Sequence, residues 1–298
     1  MNIAVLMSTY NGHSYLDEQL KSLAQQTVAE DVTVYIRDDG STDDTFKIIE
    51  KWKTRMAIVL YKGSNAGPAM SFWQLLMKQD IQADYYAFCD QDDVWDPNKL
   101  EVAIKQLNSN THFCACNCRI IDENGIIIDE KRCKKVPEIS MEKLFVSGVT
   151  QGCSMVFDDA LRRFIIEKKL QCIPMHDVVL MLYAMSFGKI YWDQEPHFSY
   201  RVHSNNVVAK SNKSITQKIK TTWWNWKNSS THSMATVACE MLNNIKNMSD
   251  EEMSFLECVS KYRYSIRCKK AILSNESIND MPKQLLRSYR VMVLFNLY

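Results

Sequence analysis

Tyr35–Thr45 reads YIRDDGSTDDT: an apolar, β-rich run stops at two adjacent aspartates, Asp38 and Asp39, and a glycine and a cluster of helix-capping residues follow. A buried strand that delivers two carboxylates to its end, with no base for several residues beyond, needs something to receive them. In an open α/β sheet the carboxyl ends of parallel strands face a crevice, and ligands bind there. The stretch therefore predicts a strand, a turn into a helix, and the sheet edge that carries a site.

Four short apolar or β-rich runs, Ile3–Met7, Val32–Ile36, Ala57–Tyr61 and Tyr85–Cys89, are separated by segments with helical spacing such as Leu16, Leu20 and Leu23. That alternation predicts βαβ units and a parallel sheet. Asp96 as a cap and Pro97 in the first turn announce a further helix with Leu100, Ala103, Ile104 and Leu107 as its buried stripe. Cys114, Cys116 and Cys118 share one face of a strand, which is core geometry; structural zinc sites space their ligands as paired knuckles. Asn124-Gly125 between two apolar runs predicts a hairpin. After Lys210 the texture changes to polar residues, lysines and tryptophans and then to helical segments, dividing the chain into 1–210 and 211–298.

Of the 298 residues, 46% are hydrophobic and 24% charged, a balance that excludes a disordered or fibrous chain. The net charge is +1, so no global field favours nucleic acid and any basic patch is local. Met1–Met7 is too short and too poor in bases for a secretion signal, and no apolar run reaches the length of a membrane span. Ten cysteines without such a signal predict reduced thiols and a cytoplasmic chain.

Three strand ends carry matching signals: Ser8-Thr9-Tyr10-Asn11-Gly12 after the first, Asp38-Asp39-Gly40-Ser41 after the second, and Asp90, Asp92 and Asp93 after the fourth. Parallel strands bring them to one edge. Carboxylates held together repel unless a cation lies among them, and hard oxygen ligands suit Mg²⁺ or Mn²⁺. Plainer readings exist. Asp43 and Asp44 suit the first turn of a helix, Asp93 a local backbone bond, and Asp38-Asp39 taken alone an Asx-type turn. The addition of Asp90 and Asp92 favours a ligand.

The stretches STYNG (Ser8–Gly12), DDGSTDDT (Asp38–Thr45), SNAG (Ser64–Gly67) and DQDDVW (Asp90–Trp95), in this order, resemble the family 2 glycosyltransferases, inverting enzymes of GT-A fold that use nucleotide-sugar donors. GVTQGCSMVF (Gly148–Phe157), PMHDVVL (Pro174–Leu180) and YRVHSNN (Tyr200–Asn206) are similar to later landmarks of the rhamnosyltransferase-like branch that builds bacterial surface polysaccharide. The resemblance implies an α/β chain: a GT-A, Rossmann-like, mostly parallel sheet with helices on both faces, and a helical C-terminal region.

Matched positions imply roles for single residues. Thr9, Tyr10, Asn11, Asp38, Asp39 and Asn65 match positions around the nucleotide of the donor. Asp90 and Asp92 match the DxD pair, with Asp92 the direct ligand of Mn²⁺ or Mg²⁺ and Asp90 also at the donor. His203 matches a late position at the metal or diphosphate, or else it packs; Arg201 pairs with phosphate or is simply solvated. Asp177 matches the base that takes the acceptor hydroxyl's proton, against a plain reading as a helix cap. His176 stands where the commoner pair has glutamate, so it either positions the acceptor or packs. Gln151, Gly152 and Cys153 match the acceptor subsite.

The implied reaction moves L-rhamnose from dTDP-L-rhamnose to a saccharide acceptor, lipid-linked, in capsule, O-antigen or cell-wall polysaccharide synthesis. A UDP-hexose or UDP-N-acetylhexosamine transferase and a non-catalytic nucleotide-sugar-binding protein are the alternatives. A nucleotidyltransferase would carry a glycine-rich, basic loop after the first strand, unlike STYNGHSYL. The segment Lys213–Asn228 mixes lysines with Trp223, Trp224 and Trp226, a composition of either a helical lid or an amphipathic segment peripheral to the inner face of the plasma membrane.

Overall fold

β1 (Ile3–Thr9), β2 (Val32–Asp38), β3 (Ile58–Lys62) and β4 (Tyr85–Cys89) are the four strands expected from the apolar runs, and they pair in parallel in the order β3-β2-β1-β4. The connecting helices are α1 (Leu16–Ala24), α2 (Thr45–Trp52) and α3 (Pro68–Leu76). The chain steps outward from β1 to β3 and then crosses to β4 on the other side. That reversal opens a crevice at the carboxyl ends of β1 and β4. The computed structural model describes residues 1–203 and 233–298.

Beyond β4 the sheet is mixed. β8 (Met155–Asp158) runs antiparallel to both β4 and β6 (Thr111–Ile121), β9 (Lys189–Arg201) runs parallel to β6, and β5 (Val94–Trp95) pairs antiparallel with β9. The antiparallel direction of β8 has a consequence for the site. Asp158 pairs with Tyr85 and Val156 with Ala87, so the chain enters β8 from the crevice edge. The 3-10 turn Gly152–Ser154 just before it therefore lies at the end of β4.

Val32, Val34 and Ile36 alternate on β2 and pack with Leu16, Leu20, Leu23, Ile49 and Trp52 in one buried cluster. Each such aliphatic side chain contributes about 1.5–3 kcal/mol when fully buried. Cys114, Cys116 and Cys118 join the same cluster, as the period of two predicts. β7 (Ile127–Asp129) closes the expected hairpin with β6: Gly125 takes φ +83°, and the Asp122 carboxylate accepts the N–H groups of Asn124 and Ile126 at 2.9 and 2.8 Å. The expected cap Asp96 is different. α4 (Lys99–Gln106) starts after Asn98, and the Asp96 carboxylate is drawn to Arg119, since a charged partner outcompetes a neutral N–H. α6 (Asp159–Lys168) and α7 (His176–Phe187) complete this part of the chain.

The chain divides into two compact units. Met1–Glu138, Thr150–Lys169 and Met175–Val202 form the first; Ile139–Val149, Leu170–Pro174 and His203–Tyr298 form the second. The described part of the second unit is helical: α5 (Met141–Val146), α8 (Ser233–Asn244), α9 (Asp250–Lys261), α10 (Ile266–Leu273) and α11 (Lys283–Leu294). Ser249 and Glu252 form a capping box at the start of α9. Phe145 meets Phe255 edge-on at 5.6 Å, and the Tyr298 hydroxyl donates to the Phe145 carbonyl at 2.6 Å. No described helix is long and apolar enough to cross a membrane. The division expected at Lys210, and the segment with Trp223, Trp224 and Trp226, lie outside the described residues.

Candidate active site

Asp38 and Asp39, the pair that ends β2, are both buried. Asp38 accepts from Thr9 Oγ1 at 3.0 Å and from the Ser41 N–H at 2.9 Å, joining the ends of β1 and β2. Asp39 accepts the N–H groups of Ala66 and Gly67 at 2.8 and 2.9 Å and pairs with the Arg37 guanidinium. Arg37 in turn donates to Gln74 Oε1 at 2.8 Å and to the Ser64 carbonyl at 3.1 Å. The two carboxylates thus shape the rim of the crevice, and Gly67, at φ +79°, lets the Ser64–Gly67 loop present two N–H groups to Asp39 before Pro68 opens α3. Tyr10, Asn11 and Asn65 are exposed along this rim. Asn11, at φ +48°, receives the Thr42 N–H on Oδ1 at 2.9 Å and donates its own N–H to Ser41 Oγ at 2.9 Å. Asp43, expected in the first helical turn, accepts the Thr45 N–H at 3.0 Å just ahead of α2.

Across the crevice Gln91 ties the end of β4 to the end of β1, accepting the Tyr10 N–H at 2.9 Å and donating to the Tyr10 carbonyl at 3.1 Å. A Cβ on Gly12 would lie 2.2 Å from Gln91 Oε1, so only glycine leaves room for this clamp. The acids follow. Burial, and then the charge of Asp92, push the Asp90 carboxyl up to about 7, and burial with the Asp92 and Asp90 charges holds Asp93 well above the usual carboxylate range. Burial raises the Cys153 thiol as well. Ligand atoms of Asp90, Asp93 and Cys153 lie within 4.8 Å of one another.

Asp93 was expected to bond its own turn. Instead its Oδ1 accepts the Arg201 N–H at 3.1 Å, from a strand more than a hundred residues later, because β9 pairs with β5 at this point. Its Oδ2 is buried without a hydrogen-bond partner among the described residues. An orphaned carboxylate oxygen beside a second carboxylate held near neutrality is the arrangement that a divalent cation relieves. The residues present fit such an ion, with carboxylates as the hard ligands and the thiol as a softer neighbour.

The third wall is the start of α7 with the 3-10 turn Gly152–Ser154. Asp177 lies in the first turn of α7, but the capping position is Met175, so Asp177 does not cap the helix. Its carboxylate accepts the Val178 N–H at 2.8 Å, and burial pushes it up to about 6. Its charge reaches Asp90. His176 is buried, stacked on Phe72 at 4.3 Å and edge-on to Phe88 at 4.8 Å, and burial pushes it down to about 3, so the ring is neutral. Neither ring nitrogen has a partner among the described residues. A Cβ on Gly152 would sit 2.7 Å from His176 Nε2 and 3.5 Å from Asp177 Cβ. Gly152 is thus the gap through which the turn approaches α7.

The profile described as Glycosyl transferase family 2 matches residues 4–165, more than half of the chain. This chain belongs to glycosyl transferase family 2. It is 30% identical over 216 residues to the dTDP-rhamnosyl transferase RfbG of Shigella flexneri, across 68% of this chain and 73% of that one. It is also 30% identical over 126 residues to the UDP-Glc:alpha-D-GlcNAc-diphosphoundecaprenol beta-1,3-glucosyltransferase WfgD of Escherichia coli, across 42% and 49% of the two chains. The fold is similar to that of S. aureus TarS 1-349 in complex with UDP-GlcNAc, with a TM-score of 0.63 at 14% identity over 100% of this chain and 82% of that one. The mannosyltransferase PcManGT of Pyrobaculum calidifontis, in complex with GDP-Man and Mn²⁺, follows with a TM-score of 0.55 at 13% identity, covering 99% and 84%.

The expected residues of this family 2 glycosyltransferase fall into three groups. Thr9, Tyr10, Asn11, Asp38, Asp39, Asn65 and Asp90 gather at the strand ends, and Gln151, Gly152, Cys153, His176 and Asp177 come to the same crevice from the far side. Arg201 is buried and directed at protein: Nε donates to the Asp92 carbonyl at 2.9 Å, Nη1 to the Asp122 and Glu123 carbonyls at 3.4 and 3.3 Å, and Nη2 pairs with Glu18. Its visible role is to hold the acidic turn. Asp92 is half-buried in that turn, beside the Asp90, Asp93 and Cys153 group; His203 belongs to the second unit. Arg37, Gln91 and Glu18 were legible only in part. A base directly before two aspartates marks Arg37; nothing local marks the other two.

Proposed function

We propose that this enzyme transfers L-rhamnose from dTDP-L-rhamnose to a lipid-linked saccharide acceptor with inversion, in surface polysaccharide synthesis. The observation that carries the chemistry is Asp177: a carboxylate raised to about 6, held by the Val178 N–H, beside the acidic turn. At neutral pH it is mostly ionised and takes the proton of the acceptor hydroxyl as that oxygen attacks the anomeric carbon. The neutral His176 packs between Phe72 and Phe88 beneath Gly152 and supports the turn, while Gln151, Gly152 and Cys153 line the acceptor side. Thr9, Tyr10, Asn11, Asp38, Asp39 and Asn65 form the nucleotide rim. Asp90 and Asp93, with Asp92 in the same turn, would hold Mn²⁺ or Mg²⁺, which when bound offsets the charge of the leaving diphosphate. Residues 1–210 serve as the catalytic domain.

The similarity to RfbG supports the dTDP-rhamnose donor. The shorter match to WfgD supports a UDP-hexose donor as the second reading. Thermal shifts with dTDP-rhamnose, UDP-glucose, UDP-galactose and UDP-N-acetylglucosamine, each with Mn²⁺, separate the two, since specific binding raises apparent stability. A shift confined to dTDP-rhamnose is expected. A larger shift with a UDP-sugar overturns the rhamnosyl reading.

A further inference from the structure

The second unit exposes an apolar corner with bases on one side of it. Tyr264, between α9 and α10, and Ile266, the first residue of α10, are 83% and 78% exposed, and Phe295 and Leu294 at the end of α11 are 71% and 55% exposed. These two places adjoin: Lys269, one turn along α10 from Ile266, donates to the Leu294 carbonyl at 3.3 Å and to Asn296 Oδ1 at 2.7 Å. On α11 the residues Leu286, Tyr289 and Val293 face inward, which turns Val291 and Phe295 to the opposite side. Large side chains so exposed, close together in a folded unit, mark an interaction surface.

Charge selects the partner. Lys261–Leu273 carries Lys261, Arg263, Arg267, Lys269 and Lys270 with no acid, and Lys283–Tyr298 carries Lys283, Arg287 and Arg290 with no acid. The chain as a whole has a net charge of only +1, so outside these two stretches it is acidic on balance. Arg263 lies 5.2 Å from the Tyr264 ring centre, and Arg267 and Lys270 are exposed beside Ile266. An apolar face seated among bases matches the boundary of an anionic bilayer, where acyl chains take the apolar groups and headgroup phosphates the bases. Lys261 is paired with Glu257 at 3.1 Å, which leaves Arg263, Arg267 and Lys270 as the bases set beside the apolar corner.

We infer that the corner formed by Tyr264, Ile266, Leu294 and Phe295, with Arg263, Arg267 and Lys270, docks on the surface of a bilayer containing anionic lipid. The surface is independent of the donor proposed above. It is also separate from the tryptophan segment, which lies outside the described residues.

The test is flotation of the full chain with phosphatidylcholine vesicles, with and without phosphatidylglycerol, over a salt series. The chain is expected to float with the anionic vesicles only, less as salt rises. Arg267→Ala and Lys270→Ala should each weaken partitioning by about fivefold, the equivalent of about 1 kcal/mol. Ile266→Glu with Phe295→Glu should remove more than tenfold, while the melting temperature and nucleoside diphosphate release in solution stay unchanged, because these side chains are 78% and 71% exposed. Absence of flotation at low salt overturns the inference. So does flotation of the Ile266→Glu/Phe295→Glu variant equal to the parent, or a parent dimer on gel filtration that this variant abolishes without any vesicle binding. A failed donor panel with intact flotation would count against the proposed reaction and leave the surface standing.

Discussion

Asp177→Asn should slow the enzyme and stabilise it. The folded carboxyl is raised from 3.8 to about 6 by burial, roughly two units, and each unit is worth about 1.36 kcal/mol. Because the folded value lies above the unfolded one, the stabilising contribution is complete below about pH 3.8 and is lost as pH rises through about 6. At pH 7 the ionised group therefore costs the fold up to about 3 kcal/mol. Asparagine removes that cost and keeps an oxygen for the Val178 N–H, less what its NH₂ loses by burial. The variant should melt higher than the parent at pH 7 and nearly with it at pH 4. Its turnover should fall by a factor on the order of 10² to 10⁴, with donor binding preserved, as expected for loss of a general base. In the parent, kcat should rise with pH through a midpoint near 6. Scanning calorimetry at both pH values and a coupled assay for nucleoside diphosphate release measure these quantities. Unchanged turnover would place the base elsewhere, and a lower melting point at pH 7 would make Asp177 a support for α7.

Gly152→Ala places a methyl 2.7 Å from His176 Nε2, so the ring or the turn must shift; a stability loss of about 1–3 kcal/mol with reduced turnover is expected on denaturant titration and assay, and a neutral result would show the turn to be compliant. Arg37→Met leaves the Asp39 charge buried with only N–H partners, which should cost about 3–5 kcal/mol and loosen the Ser64–Gly67 loop; amide exchange at Ala66 and Gly67 reads it directly. Calorimetric titration of Mn²⁺ with donor should show binding weakened by Asp90→Ala, Asp92→Ala and Asp93→Ala. An unchanged isotherm for Asp93→Ala would remove that residue from the ligand set, and chelation with EDTA should lower donor affinity in the parent but not in a variant already lacking the site.

Local signals in the chain were sufficient for the four parallel strands, the hairpin at Gly125 and the family, because strand period, turn chemistry and the aspartate pairs at strand ends are properties of neighbouring residues. Asp38, Asp39, Asp90 and Asp177 could be singled out for the same reason: each sits in a short stretch whose residue types are unusual for a plain turn or helix. That those acids repel one another at one edge was legible; how far burial raises each of them was not. The mixed half of the sheet depends on which way β8 enters, and its antiparallel pairing with β4 is what delivers Gly152 and Cys153 to the acidic turn. Asp93 looked like a local turn residue and is held by Arg201, Gln91 sat inside DQDDVW with no sign of its partner, and Glu18 carried no mark at all. Their partners are separated from them by 81 to 183 residues, and hydrogen bonds across such distances exist only once the sheet has brought the strand ends together. The raised carboxyls of Asp90 and Asp177 have the same origin, since burial and the nearness of other charges are set by tertiary packing and not by sequence neighbours.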